Sequence, residues 1–177
     1  MKPKEYKENL KVLLSEEMLQ RRIQELGAKI TQDYKGKKLV IVCILKGAFM
    51  FCADLIRHID LPLSCDFFGV ASYGDSTKSS GILQTTLDVS SSLEGKDVLI
   101  VEDVVDTGLT IEYLQRYFSS KNPKSIKLCS LLLKPKSLKQ KIQVDYCGFE
   151  IGDEFVVGYG MDAAQHYRNL KYLAVLT

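Results

Sequence analysis

The order of apolar and polar segments predicts an α/β fold, with a mostly parallel central sheet flanked by helices. Three observations carry this. Short apolar runs at Leu39 to Leu45, Val98 to Val101 and Ile126 to Leu133 are bounded by polar or glycine-bearing stretches, as strands buried on both faces are. Segments of helical character lie between them, so strands alternate with helices. Third, the run at Val98 leads through Glu102, Asp103 and a Thr-Gly-x-Thr turn into a helical segment, the first half of a βαβ unit. In open α/β sheets, ligands bind at that C-terminal end of the strands.

Each element has its own reason. Ser15 can cap a helix opening on Glu16 and Glu17, and Leu19, Ile23, Leu26 and Ile30 then recur on one face, with Gly36 as a stop. Lys46-Gly47 follows the Leu39 strand directly. Ala48 to Ile56 is apolar nearly all round and reads as a helix packed on the sheet. After Pro62, Leu63 to Ala71 is the next strand. Ser72 to Gly81 is polar and glycine-bearing, an exposed and mobile loop. Ile82 to Val89 returns from it as a strand, and Ser90 to Asp97 turns into the central run. The helix Ile111 to Ser120 stops before Asn122-Pro123. Lys136 to Gln143 is a basic, polar connection. Val144 to Ile151 and Leu173 to Leu176 are strand-like, and Phe155 to Gly160 lies between them.

Composition narrows the class. The 177 residues read as a single domain, 1–177, long enough to bury a core. Apolar content of 46% and charged content of 26% are ordinary for a globular protein, and a net charge of +2 argues for neither nucleic acid nor membrane as a partner. No apolar run reaches the length of a membrane span, and the charged N-terminus is no secretory signal. Five scattered cysteines (Cys43, Cys52, Cys65, Cys129, Cys147), mostly in apolar runs, suit reduced thiols and a cytoplasmic location. Two distant histidines and no Cys-x-x-Cys argue against structural zinc.

The chemistry concentrates at Val98 to Thr110. Successive backbone N–H groups, the hydroxyls of Thr107 and Thr110 and a helix N-terminus make an anion site, and Gly108 lets the backbone turn and approach a ligand. It is neither a Walker loop nor a dinucleotide loop, since both glycine patterns are missing. Glu102 and Asp103 look misplaced beside a phosphate. They make sense if the ligand also carries a sugar diol or a divalent cation. Phosphate, diol and Mg²⁺ together point to a phosphorylated pentose.

This stretch resembles the phosphoribosyl-diphosphate (PRPP) signature of the type I phosphoribosyltransferases. Leu45-Lys46-Gly47, Ser72-Tyr73-Gly74, Leu132 to Pro135 and Asp153 to Asp162 resemble, more narrowly, the hypoxanthine-guanine phosphoribosyltransferases. The likeness runs from about Ser15 to the C-terminus. It implies the type I fold, with a small hood formed by the terminal segments and a flexible lid loop. It also implies transfer of the phosphoribosyl group from PRPP to a 6-oxopurine, with Mg²⁺ as cofactor, in a homodimer or homotetramer.

Roles follow the same resemblance. Asp106, Thr107, Gly108, Leu109 and Thr110 would hold the 5′-phosphate. Glu102 and Asp103 would hold the ribose hydroxyls and Mg²⁺. Asp106 would be the catalytic general acid/base beside purine N7. Lys134 would donate to the 6-oxo group, Phe155 would stack on the base, and the Val156 backbone would bond its edge. Asp162 would support a second Mg²⁺ through water, beside the base. Lys46, Gly47 and Arg168 would take the pyrophosphate, in a loop where the family often has a cis peptide, which leaves Leu45-Lys46 open. Ser72 and Tyr73 would belong to the lid. Two other readings stay open: a PRPP-binding, RNA-binding attenuator of the same fold, and a PRPP synthase-like kinase. The purine-side match at Lys134 and Phe155 to Asp162 argues against the first. The lack of a visible ATP site or second domain argues against the second.

Overall fold

The computed structural model describes residues 9–72 and 83–176, Ser72 by its backbone alone. The expected lid, with Tyr73, therefore lies outside the described residues beyond Ser72. In chain order the elements are β1 (Leu10–Leu14), α1 (Glu16–Asp33), β2 (Leu39–Leu45), α2 (Phe49–Arg57), β3 (Leu63–Ser72), β4 (Leu83–Leu87) and β5 (Asp97–Val105). There follow α3 (Leu109–Ser119), β6 (Ser125–Leu133), a 3-10 turn at Pro135–Ser137, β7 (Tyr146–Glu150), β8 (Val156–Val157) and β9 (Leu173–Leu176). The main sheet has the order β4-β3-β2-β5-β6-β7, and every neighbouring pair is parallel except β3 and β4. The two ends of the chain supply a second, antiparallel sheet in the order β1-β9-β8.

Alternation along the central strands explains the layers. Leu39, Ile41 and Cys43 of β2 and Leu99 and Val101 of β5 face one side, with the buried faces of α1 and α2. Val40, Val42, Ile44, Val98 and Ile100 face the other, with Ile111, Leu114 and Phe118 of α3. Both faces are covered, so these strands need apolar residues at every position. Phe68 of β3 and Phe118, both fully buried with ring centroids 5.0 Å apart, tie the sheet to α3. Truncating either to alanine costs about 3–5 kcal/mol.

The Ser15 hydroxyl accepts from Met18 N–H at 3.3 Å, and Leu19, Ile23, Leu26 and Ile30 are buried, as their spacing requires. Ser72, expected to open the polar loop, is the last residue of β3, and α3 starts at Leu109, two residues before the expected Ile111; four further elements depart from the sequence reading. α1 ends at Asp33, where Tyr34 N–H bonds back to Ile30 O, and Gly36 at φ +76 only redirects the chain afterwards. α2 buries Phe51, Cys52 and Leu55 alone, so it is a one-faced surface helix and not an all-round buried one. β5 continues past Val101 through Glu102 and Asp103, because its backbone keeps pairing with β6, Glu102 to Ser130 and Val104 to Leu132. β1 was not legible, since its pattern is half exposed and its partner β9 lies at the other end of the chain.

Candidate active site

The cleft opens where β2, β5 and β6 end, the edge at which parallel strands deliver their loops and helix N-termini. β5 passes into α3 through Asp106, Thr107 and Gly108. Gly108 is the N-cap of α3 at φ +85, a left-handed conformation that glycine adopts without steric cost. As glycine, it places no side chain over the first turn of α3; Leu109 N–H donates to Thr107 Oγ1 at 3.5 Å, and a helix N-terminus of this kind favours an anion. A Cβ there would also stand 2.8 Å from Ile142 Cγ1. The chain after β6 presses on this loop, and Lys139 N–H donates to Thr107 O at 3.0 Å. Nothing in the polar composition of residues 136–143 signalled that support.

The two acids have different surroundings. Glu102 is 6% exposed, and its Oε2 has no hydrogen-bond partner. Burial, and then the charge of Asp103, pushes its carboxyl well above the usual carboxylate range. Asp103 instead packs against the turn after β2, where a Cβ on Gly47 would come within 1.5 Å of Asp103 Oδ2. Only glycine leaves room for that carboxylate. Leu45-Lys46, left open by the sequence, is cis.

Two adjoining cavities occupy the cleft, about 340 Å³ and about 560 Å³ in volume. Glu102, Thr107, Gly108 and Thr110 line the smaller. Lys134, Phe155, Val156, Asp162 and Arg168 line the larger. Lys46, Gly47, Asp103 and Asp106 line both. The side chain of Leu109 lines neither; it faces a separate groove with Glu112, Tyr113 and Arg116, so at the loop Leu109 offers backbone only.

On the larger side, Lys134 is 8% exposed and its Nζ stands 3.5 Å from Asp106 Oδ2. Pairing of Val105 with Leu133 in β5 and β6 brings these two residues together. Phe155 is 59% exposed at the rim, and Val156 is buried in β8. Asp162 and Arg168, expected on different ligand groups, are paired with each other: Arg168 Nη2 lies 2.6 Å from Asp162 Oδ1. Arg168 Nη1 also donates to Gly160 O, and Gln165 N–H donates to Asp162 Oδ2 at 2.7 Å. Gln165 lines the cavity too. Sequence reasoning missed it, since its place depends on a left-handed backbone at φ +67 that no local residue pattern announces. Among the described residues, no three His, Cys, Asp or Glu side chains converge as a metal cage. No helix among them is long and apolar enough to cross a membrane.

Residues 11–164 match the phosphoribosyl transferase domain family. The chain is 50% identical over 166 residues to the hypoxanthine-guanine phosphoribosyltransferase of Bacillus subtilis (strain 168), covering 94% of this chain and 92% of that protein. It is 47% identical over 169 residues to the protein of the same name from Dictyostelium discoideum, covering 93% of this chain and 94% of the other. The crystal structure of a hypoxanthine phosphoribosyltransferase from Staphylococcus aureus matches with a TM-score of 0.91 at 48% identity, over 96% of this chain and 92% of that one. Identity at this level over nearly the whole length leaves one assignment: the chain belongs to the hypoxanthine-guanine phosphoribosyltransferases and has the type I phosphoribosyltransferase fold.

Proposed function

We propose that the protein transfers the 5-phosphoribosyl group of PRPP to hypoxanthine, guanine or both, giving IMP or GMP and pyrophosphate. The observation that carries this reading is the approach of Asp106 to Lys134 at 3.5 Å. The carboxylate at the end of the phosphate strand meets the lysine at the end of the purine-side strand, so one group can serve both substrates.

The first-turn amides of α3 and the hydroxyls of Thr107 and Thr110 hold the 5′-phosphate. Asp106 acts at purine N7. A purine anion is the better nucleophile, and a departing purine needs a proton, so a carboxylate there serves both directions. Glu102 and Asp103 accept hydrogen bonds from the ribose hydroxyls, and their negative charge, on Glu102 once a bound cation offsets its burial, favours an oxocarbenium-like sugar in the transition state. Lys134 has donors only, which suit a 6-oxo group and mismatch a 6-amino group. Phe155 stacks on the base and the Val156 backbone bonds its edge. Lys46, Gly47 and Arg168 receive the pyrophosphate, for which a forked guanidinium is suited.

The orphaned Glu102 Oε2 and the adjacent Asp103 carboxylate are hard oxygen donors that fit Mg²⁺, an ion that takes its remaining ligands from water and phosphate oxygens. Held there, with Asp162 supporting a second ion through water, Mg²⁺ would neutralise charge on the leaving pyrophosphate. The protein works in the cytoplasm as a homodimer or homotetramer, and exposed Phe67 and Leu87 on β3 and β4 offer apolar surface for association.

Incubation with Mg-PRPP and, separately, hypoxanthine, guanine, xanthine, adenine and uracil tests the reading. Nucleotide should form with hypoxanthine or guanine and not with adenine or uracil. A protein that makes no nucleotide from either 6-oxopurine does not have this function.

A further inference from the structure

Tyr159 reaches from the purine-side segment into the body of the molecule. Its backbone is left-handed at φ +47, between Gly158 at +102 and Gly160 at +101. Its ring is 5% exposed in the core shared with α1 and α2. Its hydroxyl donates to Asp54 Oδ2 on α2 at 2.5 Å. Gln20 on α1 donates to the same oxygen at 2.8 Å and stands 3.4 Å from the hydroxyl. None of the three lines either cavity of the cleft, and the reaction described above uses none of them.

The element that holds Tyr159 is itself part of the cleft. α2 begins two residues after Gly47, and Phe49 N–H donates to Lys46 O at 3.4 Å. The Lys46-Gly47 turn is therefore the lead-in to α2. Gly160 meets the same turn directly: a Cβ on Gly160 would come 2.2 Å from Gly47 O, so the two backbones touch. The purine-side segment is thus joined to the pyrophosphate turn twice, once backbone to backbone and once through Tyr159, Asp54 and α2. A tyrosine stays left-handed only where its surroundings hold it. A hydrogen bond to a carboxylate is among the stronger such holds.

We infer that Tyr159 and Asp54 are positioning residues whose hydrogen bond couples the purine half of the site to the pyrophosphate turn. Filling one half then sets the geometry of the other. The inference rests on the assignment of those two halves proposed above.

Calorimetric titration of the full chain tests it. The Kd for hypoxanthine is measured alone and with saturating Mg-pyrophosphate, for the unaltered protein, Tyr159→Phe, Asp54→Asn and Asp54→Ala. In the unaltered protein, pyrophosphate should tighten hypoxanthine binding by about 5–20-fold, within the usual range of coupling between sites. In Tyr159→Phe the enhancement should fall below about twofold, while each ligand alone binds within about threefold of normal. Asp54→Asn keeps an oxygen that accepts the tyrosine O–H and should retain most of the coupling. Asp54→Ala should lose it, and it carries the test if Tyr159→Phe does not fold. A purely structural role would lower the melting temperature and leave the coupling intact. Full coupling in a folded Tyr159→Phe or Asp54→Ala protein overturns the inference. So does an unaltered protein that turns over hypoxanthine and shows no coupling. An unaltered protein that neither binds nor turns over hypoxanthine overturns the site assignment, and this inference with it.

Discussion

The two halves of the cleft are built in opposite ways. On the side proposed for the phosphate, Glu102 to Thr110 follow one another through the end of β5, a tight turn and the first turn of α3. On the side proposed for the purine, Lys134 follows β6, Val156 belongs to β8, and Asp162 lies between β8 and β9. The segment between β8 and Met161 holds three left-handed residues in a row, Gly158 to Gly160. A phosphate can be held by backbone N–H groups, which any sequence offers once a glycine shapes the turn. A base has to be read by particular side chains at its face and edge, and these come from separate segments. The first problem has a local solution, and the second has only a tertiary one.

Four substitutions break or sharpen that contrast. The largest effect belongs to Asp106, which lines both cavities and stands 3.5 Å from Lys134. Asp106→Ala should lower kcat by about 10²–10⁴ with PRPP binding mostly kept, as read by steady-state kinetics and PRPP titration. A near-normal kcat would leave the halves without a shared chemical group. Lys134→Met should reduce the preference for hypoxanthine over adenine in kcat/KM by about 10²-fold. Unchanged discrimination would make Lys134 an ordinary strand-end lysine.

Gly160→Ala tests the contact between halves. The new methyl would meet Gly47 O in a backbone at φ +101, so the segment and the turn must separate. KM for both purine and PRPP should rise about tenfold, which is about 1.4 kcal/mol. A change confined to the purine would show the halves to be independent there.

The smallest effect is on stability. Burial and Asp103 raise the Glu102 pKa in the folded state above its ordinary value of 4.5. Between the unfolded and folded values the folded state binds the extra proton, so this group makes stability fall as pH rises. Glu102→Gln should therefore melt higher than the unaltered protein at pH 8, by roughly 2–4 °C for each 1 kcal/mol recovered, while binding PRPP more weakly. The gain should disappear below pH 4.5, where the carboxyl is protonated in both states. Equal melting temperatures at pH 8 would mean that ionised Glu102 carries no penalty in the fold.

Boundaries were legible where the pattern is local. Leu39–Leu45 and Leu173–Leu176 have the limits their apolar runs suggest. Ser15 caps α1 as its position before Glu16 and Glu17 implies. β5 ran on through two charged residues because strand pairing acts on the backbone, whatever the side chains. β1 went unread because the residues that make it a strand belong to β9.

By itself, then, the sequence determined the α/β alternation, the turn into α3 with its glycine, and the residue types that stand along the cleft. Periodicity, capping and turn chemistry act over a few neighbouring residues, and that is the range a sequence pattern records. Only the tertiary structure decided that Asp106 meets Lys134, that Asp162 pairs with Arg168 and that Glu102 is buried with an oxygen unpartnered. It also decided that Tyr159 reaches Asp54. The Asp106–Lys134 approach and the burial of Glu102 depend on which strands lie side by side, and in what register, and the other two on how the segment after β8 folds on itself and onto α2. That is set by how the whole set of apolar faces is buried at once.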